Sequence, residues 1–182
     1  GSFVIDYAFS DAVVDSLIKL WTFLPTKVSE KTKVKTLCSR RNYFCDATGA
    51  VSRAIQTVLC DSLGCIPGDA MVFPYMRFLC YSKQGTDLAP HIDLCRVDAD
   101  SGKRSTHSFL LYLTDCDAGG ETTLIGDITG DARFKVLAKV SPRRGRLLLF
   151  PYRCPHEGLA VKDVPKLLIR GEVLLQSAAN DY

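Results

Sequence analysis

The run Ala89-Pro90-His91-Ile92-Asp93-Leu94 sets an imidazole and a carboxylate two positions apart in otherwise apolar surroundings. On a strand, side chains alternate faces, so His91 and Asp93 point the same way, about 7 Å apart along the chain, with room for one ion between them. The chain has only three histidines, His91, His107 and His156. Over Thr106–Thr114, the residues Ser108, Leu110 and Tyr112 share one strand face, and His107 falls on the other with Phe109 and Leu111. His156 lies in Cys154-Pro155-His156-Glu157-Gly158, just after the apolar Leu147–Phe150. If the fold brings that late strand beside the earlier one, His91, Asp93 and His156 form two imidazoles and one carboxylate on one side of an ion. Such a set suits iron(II) with open positions opposite. A closed structural zinc site takes four ligands, preferably thiolates. Spacing alone leaves the metal site and an ordinary pair of surface residues both open.

The elements that must position these residues are legible in outline. Ser10 reads as an N-cap, followed by Val13, Val14, Leu17, Ile18 and Trp21 at helical spacing. A second helix is expected from about Thr48 to Leu63, with Val51, Ile55, Val58 and Leu59 as its apolar stripe and Gly64 as its stop. From about Met71 the texture changes to short strands. They are expected at Met71–Tyr81, Pro90–Cys95, Thr106–Thr114, Glu121–Ile125, Phe134–Val140, Arg146–Pro151, Cys154–Gly158 and Lys166–Gln176. Turn signals such as Asp117-Ala118-Gly119-Gly120 and Ser141-Pro142 separate them. Helices first and antiparallel strands afterwards imply a mainly β fold: a jelly-roll, or double-stranded β-helix, with the N-terminal helices packed on one sheet. The expected organisation is a single domain over 1–182, with helical support in 1–66 and the jelly-roll core in 67–180.

The totals fit a globular chain: 182 residues, 47% hydrophobic, 24% charged, with no apolar run of transmembrane length. Gly1-Ser2 reads as a remnant of cloning, which leaves natural targeting open. A net charge of +3 is too small to name a partner. One local cluster, Lys27, Lys31, Lys33, Lys35, Arg40 and Arg41 opposed only by Glu30, reads as a solvated loop, or else as a basic rim for an acidic substrate. The eight cysteines contain no Cys-x-x-Cys pair and lie mostly in apolar stretches, which suits thiols in a reducing compartment, cytoplasmic or nuclear. Cys38, Cys45, Cys60 and Cys65 match no common zinc-knuckle spacing.

Taken in order, several segments resemble the 2-oxoglutarate- and iron(II)-dependent dioxygenases, in the prolyl 4-hydroxylase-like branch. They are Arg77-Phe78-Leu79-Cys80-Tyr81, Gly85, His91-Ile92-Asp93, Ser108-Phe109-Leu110-Leu111-Tyr112-Leu113-Thr114, Gly119-Gly120-Glu121-Thr122, Gly145-Arg146-Leu147-Leu148-Leu149-Phe150, His156-Glu157-Gly158 and Lys166-Leu167-Leu168-Ile169-Arg170. The resemblance implies that His91, Asp93 and His156 bind Fe(II) and are the catalytic centre. It implies that Lys166 binds the distal carboxylate of 2-oxoglutarate, that Tyr112 hydrogen-bonds the same carboxylate, and that Tyr81 lines the cosubstrate pocket. A dicarboxylate buried in a barrel needs a charged, hydrogen-bonded partner, and Lys166 at the edge of the apolar run Leu167–Leu175 is hard to explain otherwise. Many relatives carry a glycine two positions before the basic residue, where this chain reads Asp163-Val164-Pro165-Lys166. Arg170, on the same strand face as Lys166, stands as the substitute anchor or as a wall of the site.

The resemblance further implies consumption of O2 and 2-oxoglutarate, release of succinate and CO2, ascorbate as the reductant of iron, and hydroxylation of a prolyl residue in a peptide or protein. The segment Cys95–Ser105 would cover the substrate channel, and its Arg96, Lys103 and Arg104 would suit an acidic peptide. Two alternatives stand beside this. One is an oxygenase of another substrate, such as nucleic-acid demethylation, against which Arg170 lacks a second downstream arginine. The other is a non-catalytic jelly-roll binding module. No membrane partner is expected. Cys95 and Cys154, each two residues from an expected ligand, would make the site sensitive to thiol oxidation if exposed.

Overall fold

The computed structural model describes residues 1–26, 40–66, 68–126 and 135–176. Two antiparallel sheets face each other. The larger follows the order β1 (Phe3–Ile5), β9 (Leu147–Pro151), β6 (His107–Tyr112), β11 (Lys166–Leu175), β4 (Tyr75–Tyr81), β2 (Arg40–Cys45), with β3 (Ala70–Val72) pairing the far end of β11. The smaller follows β5 (Leu88–His91), β10 (His156–Gly158), β7 (Thr122–Ile125), β8 (Val136–Val140). Helices α1 (Asp11–Phe23) and α2 (Ala50–Leu63) pack on the outer face of the larger sheet. This is the jelly-roll expected from the sequence.

Alternation sorts each strand of the large sheet between two cores. Phe78 and Cys80 of β4, Phe109 and Leu111 of β6, Leu147 and Leu149 of β9, and Leu167, Ile169 and Val173 of β11 face the helices, where Val14, Leu17, Ile55 and Leu59 meet them. Their neighbours in sequence, Leu79 and Tyr81, Leu110 and Tyr112, Leu148 and Phe150, and Leu168, face inward between the sheets with Leu124, Val140 and Val161. Both faces being buried is why these strands read as continuous apolar runs.

Several local expectations are corrected. The run Met71–Tyr81 is two strands, broken at Phe73-Pro74, where Pro74 has no N–H for a ladder and its carbonyl instead accepts from Asp46 N–H at 2.9 Å. The N-terminal third is not helical alone, since β1 and β2 extend both edges of the large sheet. Ser10 stands at the N-cap but makes no side-chain cap bond, so α1 is held by its buried stripe and not by its cap. Gly64 does end α2, with φ 67°. Phe134, Cys38 and the lysines of the basic cluster lie outside the described residues; of that cluster, Arg40 and Arg41 open β2.

Candidate active site

β5 delivers His91 at its last residue and β10 delivers His156 at its first. The strands are antiparallel neighbours with His156 directly opposite His91, and the ring centroids stand 4.2 Å apart. Asp93 is not on the strand that the sequence suggested from Pro90 to Cys95, because β5 stops at His91. The chain then leaves the sheet edge, and Asp93 N–H donates to the carbonyl of Tyr152 at 3.2 Å. The alternation nevertheless persists, with Ile92 and Leu94 exposed and Asp93 buried between them. The turn draws the side chains well inside strand spacing: Asp93 Oδ1 lies 3.7 Å from His91 Nε2, and Oδ2 lies 3.8 Å from His156 Nε2. One donor atom from each residue falls within 4.8 Å of the others, the one such group among the described residues.

Both imidazoles are oriented by the same device. His91 Nδ1 is 2.9 Å from the carbonyl of Ala89, and His156 Nδ1 is 3.0 Å from that of Cys154. An Nδ1–H donated to a carbonyl fixes the tautomer and leaves the Nε2 lone pair free to ligate. Burial lowers the pKa of His156 to about 4, against the opposing pull of Asp93, so its ring is neutral at neutral pH. Burial alone would raise the Asp93 pKa. The charges of Arg170 and His156, and hydrogen bonds from Arg170 and Ser108, outweigh it and hold the carboxyl below its usual range. Arg170 Nη2 reaches Asp93 Oδ1 at 2.6 Å, and Ser108 Oγ donates to Oδ2 at 2.7 Å.

Behind the histidines, Lys166, Tyr81, Thr122, Leu168 and Arg170 line a narrow interior space of about 30 Å³. That is room for a water or two, so a larger guest enters only as side chains move apart. Lys166 is 2% exposed, its Nζ 2.6 Å from the carbonyl of Gly120 and 5.1 Å from the centre of the Tyr81 ring. Gly120 (φ 73°) permits this approach, because a Cβ there would press on Lys166 Cδ at 3.3 Å. Tyr112 is fully buried and donates its hydroxyl to Thr122 Oγ1 at 2.7 Å, so Thr122, not Tyr112, meets the space. Arg170 is engaged with Asp93 and, through Nη1, with Glu172 Oε1 at 3.1 Å. His107 faces away from the site, with Nδ1 2.8 Å from Thr106 Oγ1.

Residues 76–171, more than half of the chain, match the family model of the 2OG-Fe(II) oxygenase superfamily. The chain belongs to the 2OG-Fe(II) oxygenase superfamily. Solved structures agree on the fold. The viral collagen prolyl hydroxylase of Paramecium Bursaria Chlorella virus-1, in its 2OG complex, is 19% identical with TM-score 0.60, the match covering 97% of this chain and 96% of that one. A Trichoplax adhaerens prolyl hydroxylase in complex with a hypoxia inducible factor peptide fragment is 17% identical with TM-score 0.66, over 96% and 84% of the two chains. SnoN, a non-heme alpha ketoglutarate dependent epimerase from nogalamycin biosynthesis, is similar to the same degree (15%, TM-score 0.66, 96% and 78%). No curated protein matches the chain in sequence.

The residues present fit the cofactors of a 2OG-Fe(II) oxygenase. Two oriented imidazoles and a carboxylate are the donor set of an iron(II) site with open positions, and a buried lysine at the far end of the same cavity suits a carboxylate. Sequence reasoning did not assign Ser108, Thr122, Arg77 or Glu172 to the site. The signal for Glu172 was available: on an apolar strand it shares the parity of Lys166 and Arg170, and a buried charge requires a partner. Among the described residues no disulfide forms, and seven cysteines are free. Cys60, Cys80 and Cys116 are buried and Cys45 is exposed. Among the same residues no helix is long and apolar enough to cross a membrane.

Proposed function

We propose that the protein hydroxylates a peptidyl substrate, at a prolyl residue, using Fe(II), O2 and 2-oxoglutarate, with ascorbate keeping the iron reduced. The observation that carries the reading is the convergence of His91, Asp93 and His156, each held in a ligating orientation, on a cavity that ends at a buried lysine. In this reading the three residues hold the iron, and Lys166 receives the distal carboxylate of 2-oxoglutarate in place of the Gly120 carbonyl. Tyr81 lines the pocket, and Tyr112 acts through Thr122. Arg170 is a positioning residue that orients Asp93, and so a wall of the site and not the cosubstrate anchor. When bound, iron would activate O2, the oxidant, with 2-oxoglutarate as the co-reductant that is oxidised to succinate and CO2 while the substrate gains the other oxygen atom. The chain supplies a fixed donor geometry and an apolar surround of Leu79, Leu110 and Leu168 that keeps water from the reacting centre. Similarity in fold to the two prolyl hydroxylases supports the prolyl assignment, and the likeness to an epimerase shows that the fold itself does not dictate it.

The test is succinate formation from 2-oxoglutarate with Fe(II) and ascorbate in air, with and without a library of proline-containing peptides, each weighed for an added oxygen. Peptide-stimulated succinate with a matching mass gain supports the reading. Succinate that no peptide stimulates overturns the peptidyl assignment and leaves the oxygenase.

A further inference from the structure

The network around Asp93 does not stop at Arg170. Glu172 Oε1 accepts from Arg170 Nη1 at 3.1 Å and also from Arg77 Nη2 at 2.7 Å, so one carboxylate oxygen serves two guanidinium groups. Arg77 sits on β4 directly opposite Arg170 on β11 and directly opposite Tyr43 on β2. Its other side opens into a cleft of about 490 Å³, whose walls include Tyr43, Tyr75, Arg77, Arg96, Val97 and Glu172. Tyr43, Tyr75 and Val97 leave 51%, 59% and 56% of their surface exposed there. Aromatic and apolar side chains presented to solvent around charged groups are the make-up of a peptide-binding surface.

The far wall is a fixed hairpin. Arg96 N–H donates to Ser105 Oγ at 2.9 Å, Ser105 N–H donates back to the Arg96 carbonyl at 2.8 Å, and Val97 bridges Arg104. Asp98, also at the cleft, is buried, and its Oδ2 accepts from Ser101 N–H and Ser101 Oγ. That carboxylate is directed at its own turn. Arg96 is exposed, and its side chain makes no ion pair among the described residues. Burial lowers the Arg77 pKa, and the positive charges of Arg170 and Arg96 lower it further against the pull of Glu172. Of the charged groups that line the cleft, Arg77 is matched by Glu172 and Asp98 is bonded to its own turn, which leaves Arg96 as the cation turned to solvent there.

We propose that this cleft is a substrate subsite in which Arg77 and Arg96 hold the carboxylate of an Asp or Glu side chain on an extended peptide whose oxidised residue, a few positions along the chain, enters the iron site. The inference rests on the peptidyl reading above and deepens it. Three hydrogen bonds in series separate Asp93 from Arg77. That places the acidic residue roughly 10–15 Å from the metal position, about three or four residues of extended chain from the oxidised one. Tyr43, opposite Arg77 on β2, and Tyr75, two residues before it on β4, would pack on the peptide beyond the acidic residue.

The test is binding, read separately from turnover. Fluorescein-labelled proline peptides would carry Asp, Asn or Lys at each of the five positions either side of the proline. Each would be titrated by anisotropy against full-length protein loaded with Mn(II) and 2-oxoglutarate without oxygen. At one register the Asp peptide should bind about five- to tenfold tighter than its Asn twin, as an interfacial charge pair gives. Arg96→Gln should abolish that preference, and Arg96→Glu should turn it toward the Lys peptide. Arg96 is the residue to change because its side chain is exposed and its hairpin bonds are made by backbone. Equal binding of the twins at every register, an Asp preference that survives Arg96→Glu, or no binding of any peptide would overturn the proposal. Peptides that bind with the expected charge preference yet never gain oxygen under Fe(II) and air would overturn the hydroxylation reading and leave the subsite standing.

Discussion

Replacing Lys166 by Met separates folding from cosubstrate binding, because the two respond differently. The ammonium is 2% exposed, and its contacts include the Gly120 carbonyl at 2.6 Å and the Tyr81 ring. Met retains most of the stem volume. The fold loses a charge-assisted hydrogen bond and leaves the Gly120 carbonyl short of a donor, a cost of about 1–3 kcal/mol. It is also relieved of holding an ammonium in the barrel interior, a penalty of similar or greater size. The net change in stability should therefore fall within about 2 kcal/mol of zero, with either sign allowed. Cosubstrate binding has no such offset. A carboxylate brought to an apolar thioether in a dry cavity loses its one charged partner, worth about 2–3 kcal/mol or more, which is roughly 30- to 150-fold in affinity. We expect calorimetric titration of Mn(II)-loaded Lys166→Met with 2-oxoglutarate to show that loss, while thermal unfolding of the unliganded protein moves by only a few degrees. A variant that binds 2-oxoglutarate within about threefold of the native protein would refute the assignment. So would a comparable loss of affinity in Arg170→Lys with none in Lys166→Met, which would move the anchor to Arg170.

Three further outcomes follow from the same geometry. Asp93→Asn keeps the shape and can still bond Ser108 and Arg170, yet removes the anionic donor, so Mn(II) affinity measured by titration should fall at least roughly tenfold with the fold intact; unchanged affinity would place the metal elsewhere. Arg170→Met strands Asp93 and leaves Glu172 with Arg77 alone, so urea unfolding of the metal-free protein should show a loss of about 3–5 kcal/mol. In metal-free protein His156 is lowered from 6.5 to about 4, so between those pH values the unfolded chain binds the extra proton. Stability should be flat above pH 6.5 and fall by about 3 kcal/mol as pH drops toward 4. Asp93, also lowered, acts in the same direction further down, through the carboxylate range. Denaturation midpoints that do not move between pH 7 and 4.5 would contradict the burial of a neutral His156.

Parity made most of the site legible. Alternation placed Ser108, Leu110 and Tyr112 on the inner face of β6 and His107 on the outer, and it put Lys166 and Arg170 together on the inner face of β11. It also survived beyond the end of β5, so Asp93 points inward although it belongs to no strand. What alternation cannot give is the neighbour. Whether Arg170 would meet a cosubstrate carboxylate or Asp93 depends on how the loop after β5 folds back on Tyr152, a contact across 59 positions that leaves no trace in local pattern. The edge strands were hidden for a related reason. Arg40-Arg41-Asn42 reads as part of a basic loop, and only its pairing with Leu79, Cys80 and Phe78 makes it sheet. The break at Phe73-Pro74 was written in the sequence, since a proline inside a paired strand argues against continuity.

The charged residues of β11 describe the site along one line. Lys166, Arg170 and Glu172 lie on one face of a strand that rises about 3.3 Å per residue, so they span roughly 20 Å from the Gly120 end of the cavity to the cleft. Each is matched by a different neighbour: the Gly120 carbonyl, then Asp93, then Arg77. A core strand tolerates such a series only where every charge has a partner, and here the partners come from the loop before β7, the segment after β5 and strand β4. Those are the elements that a jelly-roll brings together from distant parts of the chain. Burial of charge along β11 thus ties the geometry of Asp93 to the state of Arg77 at the cleft, through Glu172. A carboxylate arriving at Arg77 would compete with Glu172 for that guanidinium and leave Glu172 more fully to Arg170. Substrate charge at the cleft would then bear on the orientation of Asp93 through the same strand that carries Lys166.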